Sequence, residues 1–490
     1  MNLSEYSSFD GLGLAQLTKD KEVQPAELTQ LAARAVELLN PSLNAVVDLY
    51  SDRLSVIDPD ADLDADFAGV PFLLKDIGAV EKGRPQISGS RLGKGFIAAE
   101  DSYLTRSFKR AGFNIFGRTN LPELAQAATT ENRYFGNTSN PWNLECSPGG
   151  SSGGAGAAVA AGIVPIAHGT DTGGSFRIPA ACRGVVGLKP SRGRISKGPQ
   201  LDETLYGGLN TEFVLTRSVR DAAAVLDIVG GRATGDSISL PRPSQTFAAA
   251  CAESPRPQRI AVQTESTFAD VSSEVSQATE RVAHELESAG HTVVAASPDV
   301  NGDDWVTAER IIWIQSTAWE VKRLSAATGN PIDDEMLEPL SLSAYELARN
   351  LTADEWFDAK TKCNAICRSV GGFFEDFDVL ITPTVASTAP AIGEIAGSNF
   401  ADYGEFIRRT GEFSPFTSLF NITGQPAMSL PLAMSGRGMP IGVQLVAGFG
   451  NEQLLLQLAT HLERTMPWRD ACPPVHVSTA SSADAINERR

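Results

Sequence analysis

"CSPGGSSGGAGAAVAAGIVPIAHGTDTGGSFRIPAACRGVVG", residues 146–187, sets two adjacent serines between pairs of glycines, then runs through an alanine-rich helical pattern and a strand-like apolar stretch to a second glycine–serine turn. A flexible linker would be glycine and serine with little else. Here apolar residues are interleaved throughout, so the segment is packed. Glycine beside serine in such a setting supplies backbone conformations that other residues resist, or lets backbone N–H groups approach a ligand closely.

The same alternation of helical and strand-like runs extends to both sides. Strand-like runs occur at 44–50 (NAVVDLY), 69–75 (GVPFLLK), 113–119 (FNIFGRT), 259–264 (RIAVQT), 292–297 (TVVAAS), 378–384 (DVLITPT) and 442–448 (GVQLVAG). Together they predict an α/β protein with a substantially parallel sheet. Between them, Val275, Ala278, Val282, Leu286 and Ala289 recur at helical spacing after a serine, and Gly290 closes the pattern. Leu454, Leu455, Leu458 and Leu462 form a second such stripe. Residues 235–258 hold four prolines and read as a surface crossing rather than a domain linker, because strand-like runs on both sides can join one extensive sheet. The expectation is a single domain over 1–472, with the polar, pattern-free residues 473–490 as a mobile tail.

Composition narrows the partners. The 490 residues, 42% hydrophobic and 20% charged, suit a globular chain. A formal net charge of −18 argues against nucleic acid or an anionic membrane as the main partner and favours a small, neutral or weakly charged substrate. No apolar run approaches the roughly 18 residues of a membrane span, and the start "MNLSEYSSFDGLGLAQ" lacks the basic-then-apolar pattern of a secretory leader. The expected location is the cytoplasm. Six cysteines, scattered and without a CxxC pair, fit reduced thiols better than a disulfide framework or a zinc site. Cys363 and Cys367 share a helix face, where ordinary buried thiols are the more economical reading.

Two templates compete for the serines. Gly149–Gly153 matches GxSxG, but so does the window shifted by one, which marks a glycine-rich background rather than a nucleophile elbow. That template also needs a late histidine after an acidic residue. Among His168, His284, His291, His461 and His476, only His461 is eligible, and no motif supports it; His168 reads as a packed, hydrogen-bonded residue and His476 as part of the tail. The second template uses lysine as the base, and Lys75 follows the apolar run "GVPFLL". An isolated lysine there would read as a charge leaving a strand. To act as a base near pH 7 it must be neutral, roughly 3 pH units below its reference pKa of about 10.4, and burial can supply much of that shift.

"PFLLKD" at 71–76, "GRTNLPE" at 117–123, "SPGGSSGGAGAAVAAG" at 147–162 and "GTDTGGSFRIPAACRGVVGLKPSRGRIS" at 169–196 resemble the amidase signature family in order and interval, densest over about 70–196. The likeness continues in "ITPTV" and "MPIGVQLVA", and "NPWN", "GRIS" and "GMPIGVQLVA" look most like the family's bacterial amidases. The resemblance implies a large twisted mixed β-sheet covered by helices on both faces. It also implies an amidohydrolase acting on linear or cyclic amide C–N bonds through a Ser-Ser-Lys triad, with no cofactor and no metal. On these motifs Ser175 corresponds to the nucleophile, Ser151 to the bridging serine with a cis peptide, and Lys75 to the base.

The backbone N–H groups of Thr172, Gly173, Gly174 and Ser175 correspond to the oxyanion hole, and successive N–H groups in such a turn can curl into an anion nest. Asp171 and Arg177 resemble positions that support the turn from behind. Ser152 reads as a structural hydrogen-bonding residue, and Asn120 and Glu123 as shaping the site. The expected substrate is a small-molecule amide, with esters, carbamates and oligoamides left open; a homo-oligomer is compatible with all of this. Two rivals stand beside it. One is a glutaminase subunit of the amidotransferase A type, which shares the triad but works inside a complex. The other is a non-catalytic phosphate cradle, which the incomplete "GSRLGKGF" at 89–96 does not support.

Overall fold

The computed structural model describes residues 1–57 and 59–479. Eleven strands among them join in one sheet: β1 Val46–Leu49, β2 Pro71–Lys75, β3 Asn114–Thr119, β4 Ile166–Asp171, β5 Val186–Lys189, β6 Thr211–Thr216, β7 Arg259–Val262, β8 Thr292–Ala295, β9 Val379–Pro383, β10 Ala427–Met434 and β11 Pro440–Ala447. Their order across the sheet is β1-β3-β2-β4-β6-β5-β10-β11-β9-β7-β8. The N-terminal and C-terminal halves of the chain therefore meet along one seam, β5 against β10. Residues 235–258 cross outside the sheet, as the sequence suggests, anchored by the buried Phe247.

The sheet is mixed, and less parallel than the alternation of elements predicts. β3–β2–β4 and β9–β7–β8 are parallel, as helical crossovers require, but every pairing between β4 and β9 is antiparallel. One of these pairings has a local cause: β10 and β11 form a hairpin closed by residues 435–439, a connection too short for a parallel crossover. Both faces are covered. Successive strand residues point to opposite sides, and accordingly Val379 and Ile381 join one buried cluster while Leu380 joins another. Ile260 and Ala261 divide the same way.

The two helices read from periodicity are present. Ser273–Ser288 starts after Ser272 and buries Val275, Ala278, Val282 and Leu286. Glu452–Thr465 buries Leu454, Leu455, Leu458 and Leu462. The expected tail needs correction at its start. Val477 is buried, its amide donates to the Ala161 carbonyl at 3.0 Å, and Val475 donates to Pro141 at 3.2 Å. His476, buried beside Gly162, is thus part of the packed body rather than a loose end. Residues 480–490 of the expected tail lie outside the described residues.

Candidate active site

β2 and β4 are parallel neighbours, so their carboxyl ends fall at the same edge of the sheet. Lys75 is the last residue of β2 and Asp171 the last of β4. The helix Gly153–Ala160, built from glycine, alanine and one valine, lies entirely buried against β2, β3 and β4. Its small side chains allow that close approach, and its start delivers Ser151 and Ser152 to the ends of β2 and β4. The Gly150–Ser151 peptide is cis, as the resemblance implies.

Lys75 is fully buried, with its Nζ 2.6 Å from Ser151 Oγ, 3.0 Å from Ser152 Oγ and 2.8 Å from Thr170 Oγ1. Among the described residues no carboxylate touches the amine. Burial drives its pKa well below the ordinary lysine value, against the more distant negative charges of Asp171 and Glu212. A neutral amine has two N–H donors and one lone pair, and the three hydroxyls match that count. Ser152 donates its own hydrogen to the Thr170 carbonyl at 3.1 Å and accepts the Thr170 amide at 3.2 Å, which leaves it an acceptor toward Lys75. If Thr170 accepts the second N–H, the lone pair is free to face the Ser151 hydroxyl.

Ser175 sits in the turn between β4 and the helix Arg177–Arg183. Its carbonyl accepts the Ser152 amide at 3.3 Å, which ties this turn to the cis turn. Ser175 also lines a cleft of about 770 Å³, so the three expected catalytic residues are gathered where two turns meet and one of them opens on a cavity. A larger cavity of about 1010 Å³, bounded by Gly78, Tyr206 and Glu212, reaches none of the three.

Behind the turn, Asp171 and Arg177 are both fully buried and pair through two N–H···O contacts of 3.0 and 2.9 Å. Arg177 Nη1 donates to the Thr417 carbonyl and to Gln444 Oε1, each at 2.8 Å, and Nη2 donates to Asn421 Oδ1 at 2.6 Å. All five guanidinium N–H groups thus have acceptors. Burial alone would raise the Asp171 pKa, but Arg177 and the donors around it hold the carboxyl below its ordinary value. The pair lies behind the turn, where Asp171 accepts the Gly174 and Phe176 amides, and Asn421, which the sequence did not mark, donates its Nδ2 to Asp171 Oδ1 at 2.9 Å.

One expected oxyanion donor is otherwise engaged. The Gly174 amide donates to Asp171 Oδ1 at 2.7 Å, so this N–H is turned away from the reacting side. The carboxylate captures it because Gly174 adopts φ +133°, a conformation that L side chains rarely reach. Thr172, Gly173 and Ser175 remain as candidate donors.

The other singled-out residues have structural partners. His168 is buried, accepts the Lys75 backbone N–H at Nδ1 (3.2 Å) and places Nε2 3.3 Å from Glu212. That fixes the neutral Nε2–H tautomer, and burial lowers its pKa. Asn120 Nδ2 donates to the Asn44 and Gly136 carbonyls. Glu123 accepts from Ser90 and from the Glu338 amide, away from Lys75. His461 lies 3.6 Å from Glu285, and the Ser151 and Ser152 hydroxyls are hydrogen-bonded to Lys75 rather than to a histidine, which counts against the histidine-based triad. Cys363 and Cys367 are free thiols whose pKa burial raises.

The cleft's far wall was not legible in the sequence. Trp305, Glu309 and Trp313 come from the helix Gly302–Thr328, and Tyr403 and Phe406 from the helix Tyr403–Phe413. The signal for the first three was their four-residue spacing, which puts them on one helix face.

The family model described as Amidase matches residues 27–456. The chain belongs to the amidase signature family. It is 38% identical over 471 residues to the 6-aminohexanoate-cyclic-dimer hydrolase of Paenarthrobacter ureafaciens, covering 94% of this chain and 95% of that protein. The structure of a 6-aminohexanoate cyclic dimer hydrolase complexed with substrate superposes with a TM-score of 0.87 at 34% identity, covering 96% of this amidase and 99% of that chain. A glutamyl-tRNA(Gln) amidotransferase subunit from Thermotoga maritima is similar at a lower level, with a TM-score of 0.75 at 26% identity over 97% and 98% of the two chains. This amidase is an amide C–N hydrolase of α/β fold. No helix among its described residues is long and apolar enough to cross a membrane.

Proposed function

We propose that this amidase cleaves small-molecule amides through Ser175, Ser151 and Lys75 by way of an acyl-enzyme. Neutral Lys75 takes the Ser151 proton while Ser151 takes that of Ser175, and the Ser175 oxygen attacks the amide carbonyl carbon. The carbonyl π electrons move to oxygen, where the N–H groups of Thr172, Gly173 and Ser175 receive the developing charge. Collapse breaks the C–N bond, and the relay run backwards protonates the departing amine. Water then gives its proton to the same relay, attacks the Ser175 ester and releases the acid.

The observation that carries this reading is the 2.6 Å contact between Ser151 Oγ and a buried lysine amine whose other neighbours are hydroxyls. Burial with no carboxylate in contact disfavours the charged ammonium there. The similarity to a cyclic-dimer hydrolase supports linear or cyclic oligoamides within the substrate range, and the same chemistry extends to esters and carbamates. The proposed setting is the cytoplasm, in keeping with six free thiols.

Fluorophosphonate labelling with peptide mapping tests the assignment. Label is expected on Ser175 and absent in Ser175→Ala. Label on Ser151, or unchanged turnover in Ser175→Ala, overturns it.

A further inference from the structure

Glu309 stands in the wall of the cleft that Ser175 lines. Its Oε2 accepts from Trp305 Nε1 at 3.1 Å and from Ser418 Oγ at 2.8 Å. Its Oε1 faces Gly173, 3.7 Å from where a β-carbon on that glycine would stand. A carboxylate in such a place usually answers a cation, yet the groups acting on this one are burial and hydrogen bonds from Ser418, Trp305 and Trp313, with no cation of the described residues among them. Burial holds its pKa above the ordinary glutamate value. Around it, Trp305, Trp313, Tyr403 and Phe406 line the same cleft. Aromatic faces and one carboxylate are together the surroundings that bind an ammonium, by cation–π attraction and a charge-assisted hydrogen bond. The net charge of −18 adds a long-range attraction for cations.

We propose that Glu309 is a specificity-determining residue that selects amides carrying a protonated amine on a flexible aliphatic chain, the ammonium docking at Oε1 while the carbonyl lies at Ser175. The inference rests on the amidase reading above, because it takes the Ser175 cleft as the substrate site. It adds a charge to the substrate that the sequence reading left neutral or weakly charged. No step of the chemistry passes through Glu309; it acts by holding the chain.

The test compares isosteric pairs, 4-aminobutanamide against pentanamide and 6-aminohexanamide against heptanamide. Binding is measured by calorimetry on Ser175→Ala, and turnover on the Ser175 protein. At least one amino amide is expected to bind, and to show kcat/KM, about tenfold or more above its alkyl isostere, the size of a charge-assisted contact. In Glu309→Gln, which keeps an oxygen to accept from Trp305 and Ser418, that preference is expected to fall toward unity, carried by a rise in the KM of the amino amide. Equal binding of both members of each pair, or a preference that survives Glu309→Gln, overturns the inference while leaving the amidase reading intact. A Glu309-dependent binding preference without turnover of any of the four supports the ammonium site and counts against the proposed chemistry instead.

Discussion

Lys75 is held where a charged lysine would not choose to be. Its amine is fully buried among three hydroxyls, and desolvation pulls its pKa well below the unfolded value of about 10.4. Between the folded and unfolded pKa values the unfolded chain binds one more proton than the native protein, so stability must rise as pH rises through that window. Lys75→Met removes the titrating group and with it this slope. Urea unfolding of both proteins at pH 7 and pH 9 is expected to show wild type gaining on Lys75→Met at the higher pH; parallel behaviour would mean the lysine is protonated in the folded state. The same variant loses the base, and turnover is expected to fall by about 10²–10⁴-fold, the usual contribution of a positioned proton acceptor. The conversion of an ordinary strand-end lysine into this group was invisible in "LLKD" alone. It became legible only with the two serine motifs, because the burial comes from the distant residues that those motifs bring over the end of β2.

At the scale of elements, the helix Gly153–Ala160 decides whether the serines reach Lys75. A β-carbon on Gly154 would stand 2.4 Å from both the Ala45 carbonyl oxygen and the Asn120 nitrogen, backbone atoms that cannot swing aside. Gly154→Ala must therefore push the helix start away from the ends of β2 and β4. The expected cost is about 1–3 kcal/mol of stability, with a fall in turnover of up to about 100-fold from displacing Ser151. Gly371, in the middle of the helix Ala353–Asp376, has open space where its β-carbon would go. Gly371→Ala is expected to gain up to about 1 kcal/mol and leave turnover alone, and denaturant midpoints with kcat on the two variants check the contrast.

Sequence legibility divides along similar lines. Apolar runs that are continuous or long, such as those of β2, β3 and β9, were readable as strands. β5 is four residues with a glycine inside, and β10 carries Pro431 within a register shift between Leu430 and Ala433, so local pattern did not mark them. The cleft wall escaped for another reason. The spacing of Trp305, Glu309 and Trp313 states that they share a face, but which cavity that face closes is set by packing between elements far apart in the chain.

The whole molecule folds around a seam. Strands from residues 46–216 and from 259–447 meet only at β5 and β10 within the sheet. Arg177, at the start of the helix after the Ser175 turn, satisfies its Nη1 entirely with Thr417 and Gln444 from the second half. Asn421, also from the second half, donates to Asp171 and accepts from Arg177. The turn that carries Ser175 is thus completed by residues more than two hundred positions later. If the halves separated, Asp171 and Arg177 would stay together but lose the Thr417, Gln444 and Asn421 partners, and a hydrogen bond to a charged group contributes about 1.5–3 kcal/mol. The active turn and the seam should consequently fail together. In a urea series, amidase activity, tryptophan fluorescence and far-ultraviolet circular dichroism are expected to fall at one midpoint. Activity lost well before the other two signals would instead mean that the turn melts locally, and two separate dichroism transitions would mean that the halves are independent folding units despite the shared sheet.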